Sequence, residues 1–221
     1  MPISTAEFEY VRKLVHDRSA ITLEPGRAFL IESRLAPLAR KHGFRTLNEF
    51  ISRLQSQRAN GLHTDAVEAM TTNETYFFRD VHPFTALRQQ VIPELQKRRG
   101  AERRLSIWCG ASSTGQEPYS IAMLLQEYFP QLASWKVEIL ATDINLEVLN
   151  RAREARYNEL EVNRGLPSLL LIKYFRKEGS HWFLKDHIRR MVEFRPMNLA
   201  DAWPSMPAMD LVFLRNVLIY F

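Results

Sequence analysis

The sequence predicts an α/β fold: a small all-α region at the front, then a parallel sheet covered by helices and carrying a small β insertion. Three observations carry that expectation. Apolar residues recur at helical spacing through roughly the first seventy positions. Short apolar runs alternate with helical patterns from about position 100 onward. A loop of small residues joins the first of those runs to the helix that follows it.

Phe8, Val11, Leu14 and Val15 mark the first amphipathic helix. Leu23-Glu24-Pro25-Gly26 breaks it from a second, in which Phe29, Leu30, Leu35 and Leu38 read as one face. Gly43, following Lys41 and His42, is a natural stop with basic residues near the carbonyl end. Thr46 caps a third helix carrying Phe50, Ile51 and Leu54, and a short fourth is expected over 65–70. Pro83 to Arg99 reads as one further helix.

Leu105 to Trp108 is the first buried strand, Glu117 to Phe129 a helix, Val137 to Ala141 a second strand and Leu146 to Arg156 a helix. Leu211 to Leu214 is another buried strand. Between Tyr157 and Arg195 the pattern is less regular, with His181–Leu184 and Met191–Phe194 expected as small strands of an insertion. The chain stops at Phe221 with no closing helix and too few strands for a complete doubly wound sheet, so a truncated version of a longer protein is expected.

Composition narrows the function classes. Hydrophobic residues make up 46% and charged residues 25%, ordinary for a globular chain. No apolar run reaches the ~20 residues needed to cross a bilayer, and the N-terminus MPISTAEFEY lacks a secretory pattern. One cysteine, Cys109, excludes an internal disulfide and suits a reducing compartment. Six scattered histidines give no metal-ligand spacing, so no metal site is expected. The net charge of +5, with its basic excess toward the front, would attract any polyanion, from nucleic acid to an acidic protein surface, or simply solvate a helical face.

Four segments carry candidate chemistry. In WCGASSTGQEP a strand enters a loop of small residues and a helix follows, a geometry that lets backbone N–H groups approach a nucleotide-like ligand. No Gly-Lys-Ser/Thr follows, so phosphate binding is disfavoured, and the carboxylate of Glu117 suits a ligand bearing positive charge. The alternative is a structural tight turn. Asp143, ending the next strand, stands where an acid accepts ribose hydroxyls or caps the following helix. TTNETYFFRD (71–80) sets polar groups and three aromatics between the two regions, where clefts form, and Arg79 can hold a carboxylate. Interdomain core packing is the other use of Phe77 or Phe78. The fourth segment is FLRNVLIYF, at the end of the last strand.

Taken in chain order, TTNETYFFRD, WCGASSTGQEPYSIAM, ATDINLEVLNRA and RNVLIYF resemble the bacterial chemotaxis receptor methyltransferases (the CheR family). The four blocks stand in family order, and the resemblance covers essentially the whole chain. It implies a receptor-contacting helical domain over 1–72, a linker and connecting helix over 73–99, and a Rossmann-like S-adenosylmethionine-binding methyltransferase domain over 100–221. A β-subdomain insertion is implied at about 157–195. The implied reaction transfers a methyl group from S-adenosylmethionine to glutamate side chains of chemoreceptors (methyl-accepting chemotaxis proteins), giving methyl esters and S-adenosylhomocysteine in the cytoplasm.

Carried over residue by residue, the resemblance puts Asn73, Thr75, Arg79, Glu117, Asp143, Asn198, Leu199, Arg215 and Asn216 around the cofactor. Glu117 would hold the methionine amino group and Asp143 the ribose, while Arg79 and Tyr220 would sit near the transferred methyl. Arg34, Arg40 and Lys41 would meet an acidic receptor helix. Gln116 and Leu214 depart from the usual family residues, Glu and Cys. The stretch around Gly179-Ser180 looks shorter than in members that dock on a receptor's C-terminal pentapeptide, which implies pentapeptide independence. Rival readings are a methyltransferase acting on another acidic protein and a non-catalytic module binding the cofactor or its product. A nucleic-acid methyltransferase is disfavoured because no Asn/Asp-Pro-Pro-aromatic motif occurs.

Overall fold

The computed structural model describes residues 2–221, and the chain divides into two units. One takes in Met1–Thr72 together with Asn198–Trp203 and Asn216–Phe221. The other comprises Asn73–Met197 and Pro204–Arg215. The sequence reading assigned everything after position 100 to the sheet domain; two late segments instead group with the helices.

The helical unit contains α1 (Thr5–Ser19), α2 (Ala28–Lys41), α3 (Leu47–Ser56) and α4 (Gly61–Ala69). A capping box starts α1: the Glu7 amide donates to Ser4 Oγ, and the Ser4 amide to Glu7 Oε2 at 2.7 Å. Thr46 caps α3 as expected, accepting from the Glu49 amide at 3.1 Å. The fourth helix starts earlier than its apolar pattern suggested, because Asn60 caps it by accepting from the Leu62 amide. In α2 the buried row is Ile31, Leu35 and Ala39, whereas Phe29, read from the sequence as sharing a face with Leu35, is exposed. These residues close on Phe8, Val11, Val15, Phe50, Ile51, Leu54 and Met70 in one core. The late segments are tied to the same unit: Asn198 Nδ2 donates to the Arg18 carbonyl at 2.7 Å, and the Thr22 amide to the Tyr220 carbonyl at 2.8 Å.

The sheet unit begins with α5 (His82–Ala86), a π turn (Leu87–Val91) and α6 (Ile92–Arg98). The single helix expected over 83–99 is thus continuous over His82–Arg98, with a π turn inside it. Pro93 supplies no N–H and crowds the carbonyl a turn before it, and the widened π turn accommodates that loss. Then follow β1 (Arg104–Gly110), α7 (Gln116–Tyr128), a 3₁₀ turn (Pro130–Ser134), β2 (Lys136–Asp143) and α8 (Leu146–Glu154). After these come β3 (Arg156–Asn158), α9 (Glu159–Asn163), α10 (Ser168–Tyr174), β4 (Phe175–Glu178), β5 (His181–Leu184), α11 (Asp186–Arg189), β6 (Val192–Pro196) and β7 (Leu211–Phe213).

The main sheet is parallel in the order β6-β2-β1-β7. Cys109 pairs with both Ala141 and Phe213, so the carboxyl ends of β1, β2 and β7 lie level. Successive strands run to one side of β1 while β7 lies on its other side, a switch point of the kind that binds ligands in open α/β sheets. Asp210 aligns β7: its carboxylate accepts from the Ser106 amide at 2.8 Å and from Arg99 Nε at 2.7 Å.

The small antiparallel sheet has the order β3-β5-β4, and its β4–β5 hairpin turns on Gly179-Ser180 alone. Met191–Phe194 was expected to belong to this insertion. The structure corrects that: β6 pairs in parallel with β2 in the main sheet and buries Val192 and Phe194. Among the described residues, no helix is long and apolar enough to cross a membrane.

Candidate active site

Three level strand ends concentrate the candidate residues of the sheet unit. After Gly110 the chain turns through Ala111, Ser113 and Gly115, with φ of 54°, 51° and 90°, before α7 begins. Small side chains let this left-handed path run tight against its neighbours. A Cβ on Gly110 would lie 2.5 Å from Leu214 Cδ2, so a larger residue there would have to displace the end of the leucine that stands in place of the family's usual cysteine. Gln116, the other departure from the family pattern, is buried and its Oε1 accepts from Thr114 Oγ1 at 2.7 Å. A neutral amide meets this buried position without a counter-charge.

Asp143 ends β2 and is buried. One carboxylate oxygen accepts from the Ser113 amide at 2.8 Å and the other from the Asn145 amide at 2.9 Å. Asn145, rather than Asp143, caps α8. The aspartate therefore fastens the β1 loop to the β2 end, and its oxygens keep lone pairs for further donors. Burial pushes its carboxyl above the ordinary carboxylate value, against the opposing pull of these backbone amides.

Glu117, in the first turn of α7, does not stand alone. Arg215 Nη1 donates to Glu117 Oε2 at 2.8 Å, while Arg215 Nη2 donates to Asp80 Oδ2 at 2.7 Å and to the Arg79 carbonyl at 2.8 Å. The guanidinium also lies 5.7 Å from the Phe84 ring centroid. Burial raises the Glu117 pKa, and Arg215 offsets only part of that rise. Asp80 was not singled out from the sequence. The signal available was an acid directly after Arg79 in a segment already marked for its chemistry.

The 73–81 segment mixes core and site. Phe77 is fully buried, edge-on to Tyr157 at 5.1 Å and to Phe175 at 5.7 Å, so its role is packing. Phe78 packs on Phe84 at 5.1 Å, and its amide donates to Ser120 Oγ at 2.9 Å. The Asn73 carbonyl accepts from Ser113 Oγ at 2.9 Å, which places the segment against the β1 loop; Thr75 is half-buried. Arg79 Nη1 donates to the Glu74 carbonyl at 2.8 Å and its guanidinium stands 5.6 Å from the Tyr76 ring centroid. Since a guanidinium carries five N–H donors, capacity is left for a carboxylate.

Backbone strain gathers here. Phe78, Asp80 and Val81 all have positive φ, at 51°, 66° and 44°. At Val81 the His82 amide donates to the Asp80 carbonyl, closing a γ-turn on a β-branched residue. Such conformations cost on the order of 1–3 kcal/mol each and collect at functional sites.

The remaining candidates group with the helices. Asn198, Leu199, Asn216 and Tyr220 belong to that unit, as do Arg34, Arg40 and Lys41. Arg34 is half-buried, with Nη1 on the Met70 carbonyl at 2.5 Å and Nη2 on Thr72 Oγ1 at 3.0 Å. It closes the end of α4, whereas Arg40 and Lys41 are exposed. No group of three or more His, Cys, Asp or Glu capable of holding a metal occurs among the described residues.

The sheet unit suits an adenosyl ligand bearing positive charge. Its switch-point loop is walled by small residues, and it offers two carboxylates, the buried Asp143 at the end of β2 and the largely covered Glu117 in the first turn of α7. Ser112 Oγ, within that loop, is buried with no hydrogen-bond partner. A buried unsatisfied hydroxyl costs about 1–3 kcal/mol, and a ligand hydroxyl or amine could satisfy it.

Residues 73–221 match the family model described as "CheR methyltransferase, SAM binding domain", and residues 6–71 match "CheR methyltransferase, all-alpha domain". Among curated relatives, chemotaxis protein methyltransferase 1 of Pseudomonas aeruginosa is 42% identical, the alignment covering 100% of this chain and 81% of the relative. Chemotaxis protein methyltransferase Cher2 of Pseudomonas putida is 40% identical over 100% of this chain and 82% of its own length. Chemotaxis protein methyltransferase of Vibrio parahaemolyticus is 39% identical over 99% and 80%.

Proposed function

Because the chain belongs to the CheR methyltransferase family and takes S-adenosylmethionine as its cofactor, we propose that it esterifies glutamate side chains on chemoreceptor signalling domains. The observation that carries this reading is the pair of carboxylates at the switch point: Asp143, buried at the end of β2, and Glu117, only 13% exposed in the first turn of α7 after β1. In this reading Asp143 accepts from the ribose hydroxyls and Glu117 takes the donor's ammonium. Asn73, Thr75, Arg79 and Arg215 supply the surrounding polar groups. For Asn198, Leu199, Asn216 and Tyr220 the assignment rests on the resemblance alone.

When bound, S-adenosylmethionine supplies a methyl group on a sulfonium, open to in-line displacement. A glutamate with a pKa near ~4.3 is already ionised at neutral pH, so the chain need supply no base. Placement is what the protein contributes, and alignment is worth roughly 7–11 kcal/mol in favourable intramolecular cases. Arg79 guides the incoming carboxylate through guanidinium donors beyond the one held by Glu74. Pairing that is too tight would blunt the nucleophile, so Arg79 steers and does not clamp.

Exposed Arg40 and Lys41 give the acidic receptor helix a complementary surface. The two-residue Gly179-Ser180 turn supports docking without a receptor pentapeptide; micromolar affinity for an NWETF-type peptide would overturn that part. The place of action in this reading is the cytoplasm.

The decisive assay is transfer of labelled methyl from S-adenosylmethionine to receptor signalling domains, with base-labile label marking an ester. Arg79→Ala should cut transfer by about a hundredfold while S-adenosylhomocysteine affinity changes by less than about threefold. Equal losses in both would contradict the assigned role, and base-stable label would exclude a glutamate ester.

A further inference from the structure

We propose that Asp80 is a positioning residue for the methyl donor, serving as the second counterion of Arg215 so that Glu117 is free to take the donor's ammonium. This rests on the reading of Glu117 given above.

Glu117 already has a cation within its own chain. Arg215 Nη1 holds its Oε2 at 2.8 Å, and the two side chains are only 17% and 13% exposed. An incoming ammonium on the same carboxylate would face that guanidinium at close range, and like charges in a poorly hydrated site repel. Either Arg215 is expelled or it has somewhere else to put its charge.

Asp80 is that place. The other arm of the guanidinium, Nη2, holds Asp80 Oδ2 at 2.7 Å, on a residue 52% exposed and able to keep its hydration. The guanidinium is thus a fork with one tine on each carboxylate. Releasing Glu117 requires only the Nη1 bond to break. The Nη2 bonds to Asp80 and to the Arg79 carbonyl stay, so Arg215 is never left without a partner. Two carboxylates to one guanidinium also leave an excess negative charge, and the donor's ammonium and sulfonium outweigh its single carboxylate.

The local backbone is built to hold Asp80 there. Asp80 and Val81 take φ of 66° and 44° without glycine, and the γ-turn at Val81 fixes the segment just beyond the aspartate. A merely solvated aspartate would gain nothing from that strain.

The test pairs two ligands on the full chain by calorimetry. S-adenosylhomocysteine carries the amino-acid ammonium, whereas 5′-methylthioadenosine has the same nucleoside and sulfur without it. Asp80→Asn should weaken S-adenosylhomocysteine about tenfold and methylthioadenosine less than about twofold, and Asp80→Glu should recover most of the loss. In turnover the Asn variant should raise KM for the donor and leave kcat nearly unchanged. The proposal is overturned if S-adenosylhomocysteine binds Asp80→Asn as it binds wild type, or if both ligands lose equally. Asp80→Ser carries the same comparison should the Asn variant not fold. Wild type binding neither ligand would instead sink the functional reading itself, so the two failures are distinguishable.

Discussion

Replacing Gly115 by alanine tests whether the loop before α7 is as tightly set as its geometry indicates. Gly115 has φ of 90°, and a Cβ there would lie 3.1 Å from Ala152 Cβ, 3.1 Å from Tyr119 Cε2 and 3.2 Å from Phe194 Cζ. The Tyr119 ring has little freedom to yield: its hydroxyl donates to the Ala152 carbonyl at 2.8 Å, and it packs edge-on to Phe194 at 5.5 Å. A left-handed alanine costs about 1–2 kcal/mol. Overpacking adds about 1–3 kcal/mol, and the lower entropy of the unfolded alanine chain offsets only roughly 0.4–1 kcal/mol of that cost.

The net loss is therefore about 2–4 kcal/mol, or a Tm lower by roughly 5–15 °C at this chain length. Gly179→Ala is the internal control: its φ is 58° and no atom lies within 4 Å, so it bears only the conformational cost, about 1–2 kcal/mol. Scanning calorimetry of the two variants should separate them clearly. S-adenosylhomocysteine should also bind Gly115→Ala at least about tenfold more weakly, because the shift moves Glu117 and the Ser113–Asp143 bond. If Gly115→Ala loses no more stability than Gly179→Ala, the packing argument is wrong.

Phe77→Ala removes a fully buried ring held between Tyr157 and Phe175, and should cost about 3–5 kcal/mol by urea denaturation; a loss below about 1 kcal/mol would show that the core re-forms without it. The pH dependence of product binding follows from Glu117 and Asp143, both raised by burial from ordinary values of 4.5 and 3.8. A carboxyl raised on folding binds its proton more tightly in the native state, so these two groups disfavour the fold at neutral pH and relent as pH falls into that window. Affinity for S-adenosylhomocysteine moves the other way, weakening on acidification already above pH 4.5, and Glu117→Gln should flatten the profile; affinity constant down to 4.5 would refute the assignment.

Much of this molecule is legible along the chain because its signals are local. Helical spacing finds Phe50, Ile51 and Leu54, Thr46 marks a cap, and the apolar runs at 105–108 and 137–141 become the two central strands. The four motif blocks locate Glu117, Asp143 and Arg79, since residue type and position at a strand end or loop suffice for that. Local pattern could not assign β6, because an apolar run of four or five residues pairs equally well with a small antiparallel sheet or with β2.

Only the tertiary structure decided what each charged group does. Arg34 looks like a surface cation until Met70 and Thr72, more than thirty positions away, receive it. Arg215 meets Glu117 across 98 positions and Asp80 across 135, a three-way contact made when β7 settles beside β1. Sequence determined which groups are present and on which kind of element. Side-chain pairing between distant segments follows from strand order and burial, which have no periodicity to read, and so it waited for the fold.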